Sequence, residues 1–346
     1  MTILNDDRLF PSDPATRAIA RGLYSEIRSL PILSPHGHTN AEWFAEDQAF
    51  PDPARLFISP DHYIYRMLYS QGLRLEDLGV GKQPTMDPRS VWRLFAKHYY
   101  LFRGTPTRIW LDYAFQEQFG LQERLSEANA DRYFDTISER LSQPEFRPRA
   151  LLDKFRIEVL ATTDSPLDSL EHHKKIGTLN LKTRILPTFR PDAVVDPDFD
   201  SFQENVLKLG ALSSEDTTNW SGYLAALRWS REQFKALGCT ATDHGHPTVA
   251  TADLDSSAAA ALFSRVTGGG ATPADKEQFR AQMLTEMARM SLEDGLVMQI
   301  HPGSFRNHNL QLYKTFGRDV GADIPTLTDY TQTCSRSSVA LETKRI

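Results

Sequence analysis

The stretch Pro31-Ile32-Leu33-Ser34-Pro35-His36-Gly37-His38 is a short apolar run that leads directly into two histidines. It is too short for a helix, so it predicts a buried strand with polar residues at its carboxyl end. Ser12-Asp13-Pro14 provides a capping residue followed by a proline suited to a first helical turn. A helix is therefore predicted before the strand, ending near Leu30, with apolar residues at helical spacing: Ile19, Leu23, Ile27 and Leu30.

Four further strand-like runs follow. Segments with apolar residues at helical spacing lie between them. The runs are Ile157 to Ala161, Arg184 to Pro187, Cys239 to Thr242 and Leu296 to Ile300. The helix after the first of these runs is predicted to start near Ser165-Pro166. Alternation of strands and helices predicts βα units and a parallel sheet.

Two kinds of α/β fold contain such a sheet: the closed (β/α) barrel and the open doubly wound sheet. A doubly wound sheet would be supported by a glycine fingerprint after its first strand, and His36-Gly37-His38 is not one. We therefore predict a TIM-type (β/α)8 barrel. The predicted division is an N-terminal helix with the first strand (1–50), a helical insertion (51–155), barrel βα units (156–330) and a tail (331–346).

Composition and charge exclude several classes of protein. The 346 residues are 40% hydrophobic and 24% charged, as in ordinary globular proteins, with a net charge of −6. Lys and Arg are scattered, so no electrostatic footprint for nucleic acid or an anionic membrane is present. No apolar run approaches the roughly 18 residues of a membrane span, and the two cysteines, Cys239 and Cys334, imply no disulfide framework. We expect a cytoplasmic protein without nucleic-acid or membrane partners.

Polar residues collect at the predicted carboxyl ends of the strands. In a barrel these ends share one face, where barrel enzymes place their sites. His36 and His38 fall on the same side of their strand, because side chains alternate with period two, and both can reach one ion. Nitrogen ligands suit Zn²⁺ and related divalent metals. The other strand-end candidates are Asp164, Arg190, Asp243, His244 and His301.

Five motifs occur in register along the chain: Ser34-Pro35-His36-Gly37-His38, Pro60-Asp61-His62-Tyr63, Thr162-Thr163-Asp164-Ser165-Pro166, Phe189-Arg190-Pro191-Asp192, and His301-Pro302-Gly303 followed by Arg306-Asn307. They resemble the motifs of the uronate isomerases, a family of the amidohydrolase superfamily of barrel enzymes. The resemblance spans roughly residues 10–330 and implies an aldose–ketose isomerase of uronic-acid catabolism. It implies the interconversion of D-glucuronate with D-fructuronate and of D-galacturonate with D-tagaturonate.

The resemblance also implies roles for individual residues. His36 and His38 correspond to ligands of a divalent metal, expected to be Zn²⁺, and Tyr63 and Arg190 to catalytic residues. Moving a proton between adjacent carbons needs a base and an electrophile on the carbonyl, which a metal or a tyrosine hydroxyl supplies. A guanidinium matches an anionic uronate with two parallel hydrogen bonds. The remaining candidates for substrate contacts are His62, Asp164, Asp243, His244, His301 and Arg306.

Each assignment has a structural alternative. Tyr63 could be an amphipathic core residue, and Arg190 could pair with Asp192 in a surface loop. Asp243 and His244 could orient other ligands without touching substrate. His172 and His173, beside Glu171 on a predicted helix, fit a solvent-exposed face.

The chain departs from the family pattern at its carboxyl end. The family continues with a Trp-rich strand and a last strand bearing Thr-Asp-Ser-Arg, whose aspartate is a metal ligand and the proposed base. This chain has neither, and after Asp329 it is polar and aperiodic. We therefore predict a barrel truncated to about five strands, a non-family tail over 331–346, and a chain that is insoluble or associated, as a homo-oligomer for example, without turnover. Asp164 and Asp243 are the first candidates for a substitute base.

Two other functions compete with the isomerase. One is a metal-dependent hydrolase of the same superfamily, whose binuclear members need a lysine at the end of strand four. Cys239 to Gly245 offers none. The other is a catalytically silent remnant that at most binds an anionic sugar.

Overall fold

The computed structural model describes residues 4–81 and 86–331 and divides the chain into two compact units. The first comprises Met1–Pro31, Asp47–Arg156 and Arg306–Ile324. The second comprises Ile32–Glu46, Ile157–Phe305 and Pro325–Ile346. The predicted tail over 331–346 lies, apart from Thr331, outside the described residues.

Helices make up most of the described secondary structure. In chain order they are α1 (Pro14–Ile27), α2 (Ala41–Glu46), α3 (Pro53–Phe57), α4 (His62–Tyr69), α5 (Pro88–His98), α6 (Pro106–Tyr113), α7 (Ala130–Leu141), α8 (Pro148–Lys154), α9 (Glu171–Gly177), α10 (Asp192–Val195), α11 (Phe202–Ser213), α12 (Trp220–Ala236), α13 (Ser256–Thr267), α14 (Pro273–Asp294) and α15 (Leu310–Phe316). Short 3₁₀ segments lie at Glu76–Leu78, Tyr99–Phe102, Glu127–Asn129 and Pro144–Phe146, and a π-helical turn at Ala114–Gln118.

All the regular secondary structure described between residues 47 and 156 is helical, in agreement with the predicted helical insertion. The core of the first unit is aromatic, and Trp92, Phe95 and Tyr99 are at most 1% exposed. The indole Nε1–H of Trp92 donates to the carbonyl of Ala130 at 3.0 Å, which satisfies its polar atom inside the core. Burial of these large rings stabilises the unit independently of the sheet.

Helix α1 begins where the sequence predicts, because the Asp13 side chain accepts the backbone N–H of Thr16 at 2.8 Å. Its apolar face, however, is not part of a core. No residue of α1 is buried, and Ile19, Leu23 and Ile27 are 66%, 68% and 57% exposed. The helical period therefore predicted the element correctly but did not identify a buried face.

All five predicted strands are present in the second unit. They are β1 (Ile32–Ser34), β2 (Ile157–Ala161), β3 (Arg184–Leu186), β4 (Ala241–His244) and β5 (Val297–Ile300). Two further strands of two residues, β6 (Ser304–Phe305) and β7 (Ile324–Pro325), follow in the chain.

The five longer strands are parallel and are arranged in chain order. β1 pairs with β2, β2 with β3, and β4 with β5, while Phe189 forms parallel bridges to Asp164 and Thr242 and so links β3 to β4. The described strands lack the order reversal of a doubly wound sheet, which favours the barrel topology. Closure into eight strands remains a prediction.

The predicted helix start near Ser165-Pro166 is wrong. Helix α9 begins at Glu171, about one and a half turns later. Side chains compete for the backbone before it: Ser165 Oγ accepts the N–H of Leu167, and Asp168 Oδ1 accepts that of Leu170. Leu170 itself is left-handed, with φ of 54°. These local turns delay the helix.

The core of the second unit lies between the sheet and helices α10 to α14. Phe189 is fully buried and packs edge to face on Phe234 of α12, with ring centroids 5.2 Å apart. Met283, Met287 and Met290 of α14 are buried in the same core. Within the described part of the chain, none of the helices is both long and apolar enough for a membrane span.

Candidate active site

The carboxyl ends of β1, β4 and β5 bring four predicted residues together. His36 and His38 follow β1, Asp243 lies on β4, and His301 follows β5. Parallel strands end at one edge of a sheet, so these residues meet although they are far apart in sequence. The convergence agrees with the strand-end argument from the sequence.

His36 is held by a side chain from β5. Gln299 donates its amide N–H to the carbonyl of Pro35 at 3.0 Å, which directs its Oε1 at His36 Nδ1, 3.1 Å away. An amide oxygen only accepts hydrogen bonds, so Nδ1 carries the proton and Nε2 keeps a lone pair. This is the orientation that a metal-binding imidazole needs.

The Nε2 atoms of His36 and His38 lie 3.1 Å apart. Two nitrogens bound to one Zn²⁺ at roughly 2.0–2.1 Å in a tetrahedral site are separated by about 3.3 Å, so the pair fits a shared ion. Burial and the neighbouring charge of His36 lower the pKa of His38, which favours the neutral imidazole that a metal requires.

Asp243 lies at the centre of the group and its side chain is completely buried. Its Oδ1 is 2.5 Å from His301 Nε2 and 3.6 Å from His36 Nδ1, and its Oδ2 is 3.4 Å from Arg190 Nη1. Burial alone would raise the pKa of Asp243, but the contact with His301 and the charges of Arg190 and His36 outweigh it and lower that pKa. The carboxylate is therefore kept ionised.

The same carboxylate supports a cation site on independent grounds. Neither oxygen of Asp243 has a hydrogen bond of good geometry, although both are buried. A buried ionised carboxylate is costly unless positive charge compensates it, and Arg190 supplies part of that charge. Ligand atoms of His36, Asp243 and His301 lie within 4.8 Å of one another, the one such group of three in the described chain. Nitrogen and carboxylate donors of this kind fit Zn²⁺.

Arg190 combines the two roles that the sequence left open. Its Nε donates to Asp192 Oδ2 at 2.8 Å, which is the predicted loop pair, and its Nη1 faces Asp243. The side chain is 23% exposed, so it is accessible but not a free surface group. The Asp192 pair and a site role are therefore compatible.

Asp164 is placed differently from Asp243. Thr162 Oγ1 donates to its Oδ2 at 2.6 Å, and the N–H of Thr188 approaches the same oxygen at 3.3 Å. Burial raises the pKa of Asp164 and lowers that of His173, whose Nε2 lies 3.8 Å away. The exposed face predicted for His173 is wrong, because this side chain is 5% exposed and contacts Thr162.

His244 projects from β4 to the side opposite Asp243, since neighbouring residues of a strand alternate. It is fully buried, and its Nε2 lies 2.8 Å from Thr242 Oγ1. Burial lowers its pKa well below the ordinary value. This position fits a residue of the protein interior better than the predicted contact with substrate.

The remaining candidates, His62, Tyr63 and Arg306, belong to the first unit. Tyr63 is 60% exposed, which rules out the core alternative, and its ring lies 4.3 Å from that of His62. Asp61 caps α4 by accepting the N–H of Tyr63 at 2.8 Å. Arg306 donates to Asp323 Oδ2 at 3.1 Å. Their predicted roles remain predictions.

Two residues of the site were missed in the sequence. Gln299 lies two positions before His301 in the same run, so the period of a strand could have placed it on the same side. Gly245 carries no side chain and gave no signal. A Cβ there would lie 2.6 Å from Arg190 Nη2 and 2.8 Å from Asp192 Oδ2, so only glycine fits the present packing.

Comparison with known proteins gives a consistent result. The sequence model of the glucuronate isomerase family matches residues 5–343. The chain belongs to the glucuronate isomerase family. It is therefore an isomerase by family, and the match extends into the stretch 331–346.

Individual relatives support the same assignment. A uronate isomerase of Rhizorhabdus wittichii is 59% identical over 327 residues, covering 94% of this chain and 70% of the relative. A uronate isomerase of Rhizobium meliloti is 56% identical, covering 95% and 71%. The crystal structure of glucuronate isomerase from Caulobacter crescentus superposes with a TM-score of 0.95 at 51% identity, over 98% of this chain and 71% of that structure. The chain thus spans about 70% of the length of these relatives.

Proposed function

We propose that this chain interconverts D-glucuronate with D-fructuronate, and D-galacturonate with D-tagaturonate, as an aldose–ketose isomerase. The observation that carries the proposal is the convergence of His36, Asp243 and His301 beside Arg190 at one edge of the sheet. Family membership names the class of reaction, and these residues supply the groups that it needs.

A divalent cation, expected to be Zn²⁺, fits the donor atoms of this edge. The imidazoles of His36, His38 and His301 and one oxygen of Asp243 would hold it. When bound, such an ion polarises the carbonyl oxygen of the substrate. Gln299 sets the proton position on His36 so that its Nε2 is free to act as a ligand.

Arg190 is assigned to the anionic substrate. Its guanidinium is held on one side by Asp192 and has its Nη1 beside Asp243. A guanidinium forms paired hydrogen bonds to a carboxylate or to vicinal oxygens, so it binds and orients a uronate.

Asp243 is assigned to proton transfer. Of the two substitute bases, Asp164 already accepts hydrogen bonds from Thr162 and Thr188, whereas Asp243 is kept ionised beside Arg190. Because the Asp243 side chain is completely buried, this role requires the contact between its Oδ2 and Arg190 Nη1 to open towards the substrate. Oδ2 then takes the C2 proton of the aldose to give an enediol and returns a proton to C1, while the hydroxyl proton moves from O2 to O1. With Asp243 as the base, the reaction does not need the Thr-Asp-Ser-Arg motif, and we expect the chain to turn over D-glucuronate.

The test is turnover by the purified 346-residue chain. D-Glucuronate is supplied in D₂O with Zn²⁺, and ¹H NMR follows D-fructuronate and deuterium at C1. We expect conversion that chelation abolishes and Zn²⁺ restores, and that Asp243→Asn lowers by about 10²- to 10⁴-fold. The control is Asp253→Asn, an exposed carboxylate paired with Arg289. A folded, metal-loaded chain without turnover contradicts the proposal, and cleavage of an ester or amide substrate instead would favour the hydrolase.

A further inference from the structure

Arg190 is held between two carboxylates of different kinds. Its Nε donates to Asp192 Oδ2 at 2.8 Å, and its Nη1 lies 3.4 Å from Asp243 Oδ2. Asp243 belongs to the candidate metal group, whereas Asp192, on α10, has no ligand atom in that group. One end of the guanidinium is therefore fixed from outside the site while another nitrogen faces into it.

Asp192 also connects two loops. Its second oxygen, Oδ1, accepts the backbone N–H of Gly245 at 3.2 Å. Asp192 follows β3 and Gly245 follows β4, so one carboxylate ties together the segments after two neighbouring strands. The residue is 9% exposed, and both of its oxygens are used inside the protein.

Gly245 completes this arrangement by having no side chain. An added Cβ would come within 2.6 Å of Arg190 Nη2, 2.8 Å of Asp192 Oδ2 and 3.4 Å of His301 Cε1. The guanidinium thus lies directly against the backbone at this point. The Asp192 carboxylate and the backbone of Gly245 therefore both restrict its position.

We propose that Asp192 is a positioning residue that orients the Arg190 guanidinium for an anionic substrate without contacting the substrate itself. An arginine side chain has many rotamers, and a partner that fixes one of them in advance removes an ordering cost from substrate binding. With Nε held by Asp192, Nη1 faces the site beside Asp243. The inference rests on the proposed function, since it takes the substrate to be a uronate.

A matched control lies four residues along the chain. Asp196 follows α10 directly, has a side-chain exposure of 14% against 12% for Asp192, and also pairs with an arginine, Arg280 Nη1 at 3.0 Å. Asp196→Asn removes a largely buried ion pair from the same segment and leaves Arg190 unchanged. This variant therefore measures how far the loss of a buried ion pair in this segment changes the kinetics by itself.

The kinetic test compares Asp192→Asn with Asp196→Asn in the full chain with Zn²⁺. Asn keeps the size of the side chain and an oxygen for Gly245 N–H, but it loses the charge that holds Arg190. We expect KM for D-glucuronate to rise about tenfold or more in Asp192→Asn with a smaller change in kcat, because ground-state and transition-state binding are weakened together. Asp196→Asn should leave KM within twofold. An unchanged KM in Asp192→Asn, or equal rises in both variants, would overturn the inference.

A second measurement does not depend on turnover. The Nε–H signal of Arg190 in ¹H–¹⁵N spectra, assigned by its loss in Arg190→Lys, should exchange slowly with water in the unmodified chain because Asp192 accepts it. We expect this protection to be lost in Asp192→Asn and kept in Asp196→Asn. Retained protection in Asp192→Asn would overturn the inference, whereas absent turnover with the expected spectra would contradict the proposed function alone.

Discussion

Asp243 Oδ1 and His301 Nε2 approach to 2.5 Å at the edge of two adjacent parallel strands. Neither residue belongs to the His36-Gly37-His38 motif, yet each has a potential ligand atom within 4.8 Å of one on His36. The register of β4 with β5 produces this contact, because Asp243 pairs with Gln299 and His244 with Ile300. The pairing of strands in the sheet therefore assembles the site from residues of several segments, not from one motif.

Replacement of Arg190 tests its assignment to the substrate. Arg190→Lys keeps the charge but cannot form two parallel hydrogen bonds, so we expect uronate binding to weaken by about 10- to 100-fold, as for the loss of a charge-assisted hydrogen bond. A neutral hexose analogue should lose less. Calorimetric titration with both ligands measures the difference, and equal losses would assign Arg190 a structural role.

Gly245→Ala tests the close packing around the guanidinium. The new Cβ would displace Arg190 or Asp192, and we expect kcat/KM for D-glucuronate to fall by on the order of 10²-fold, as misplacement by about 1 Å can cause. Gly270→Ala is the control, because nothing lies within 4 Å of an added Cβ there. Wild-type kinetics in Gly245→Ala would show that the packing is not needed.

Asp275 makes the stability of α14 depend on pH. Hydrogen bonds from the side chain and backbone of Thr272 lower the pKa of Asp275 to about 2. A lowered pKa means that the stabilisation is complete above the ordinary value of 3.8 and is lost as pH falls towards 2. We expect the difference in unfolding free energy between the unmodified chain and Asp275→Asn to shrink over this range. Urea titrations at several pH values measure it, and a difference independent of pH would contradict the assignment.

The exposed face of α1 predicts self-association, in line with the homo-oligomer expected from the sequence. Contiguous apolar side chains on a surface favour association. We expect the double variant Ile19→Gln/Leu23→Gln to lower the mass measured by light scattering. Leu207→Gln, which changes an exposed leucine of α11, should have no effect. Equal masses for all three proteins would exclude this face as the contact.

The strands were predictable because most of them are short apolar runs bounded by polar residues. All five are present, but β4 begins and ends two residues later than the predicted run Cys239 to Thr242. The start of α9 was not predictable, because side chains within residues 165–170 accept backbone N–H groups there and delay the helix. The exposure of α1 was also hidden, because helical spacing identifies an apolar face and not what packs against it.

The site was partly predictable for a related reason. Strand ends identified His36, His38, Asp243 and His301, because parallel topology brings such ends together. The different environments of Asp164 and Asp243 depend on hydrogen bonds between loops, and the sequence pattern carries no information on these. Gly245 matters through the space it leaves open, which only coordinates reveal.

The most direct test of the account is the metal content of the purified full chain after dialysis against Zn²⁺, measured by inductively coupled plasma mass spectrometry. The test variant is His36→Ala/His38→Ala. The control is His172→Ala, which removes a histidine of α9 that lies outside the candidate metal group. The account predicts close to one Zn²⁺ per chain in the unmodified protein and in His172→Ala, and loss of stoichiometric metal in the double variant. Metal content unchanged in His36→Ala/His38→Ala, or absent from the unmodified chain, would contradict it.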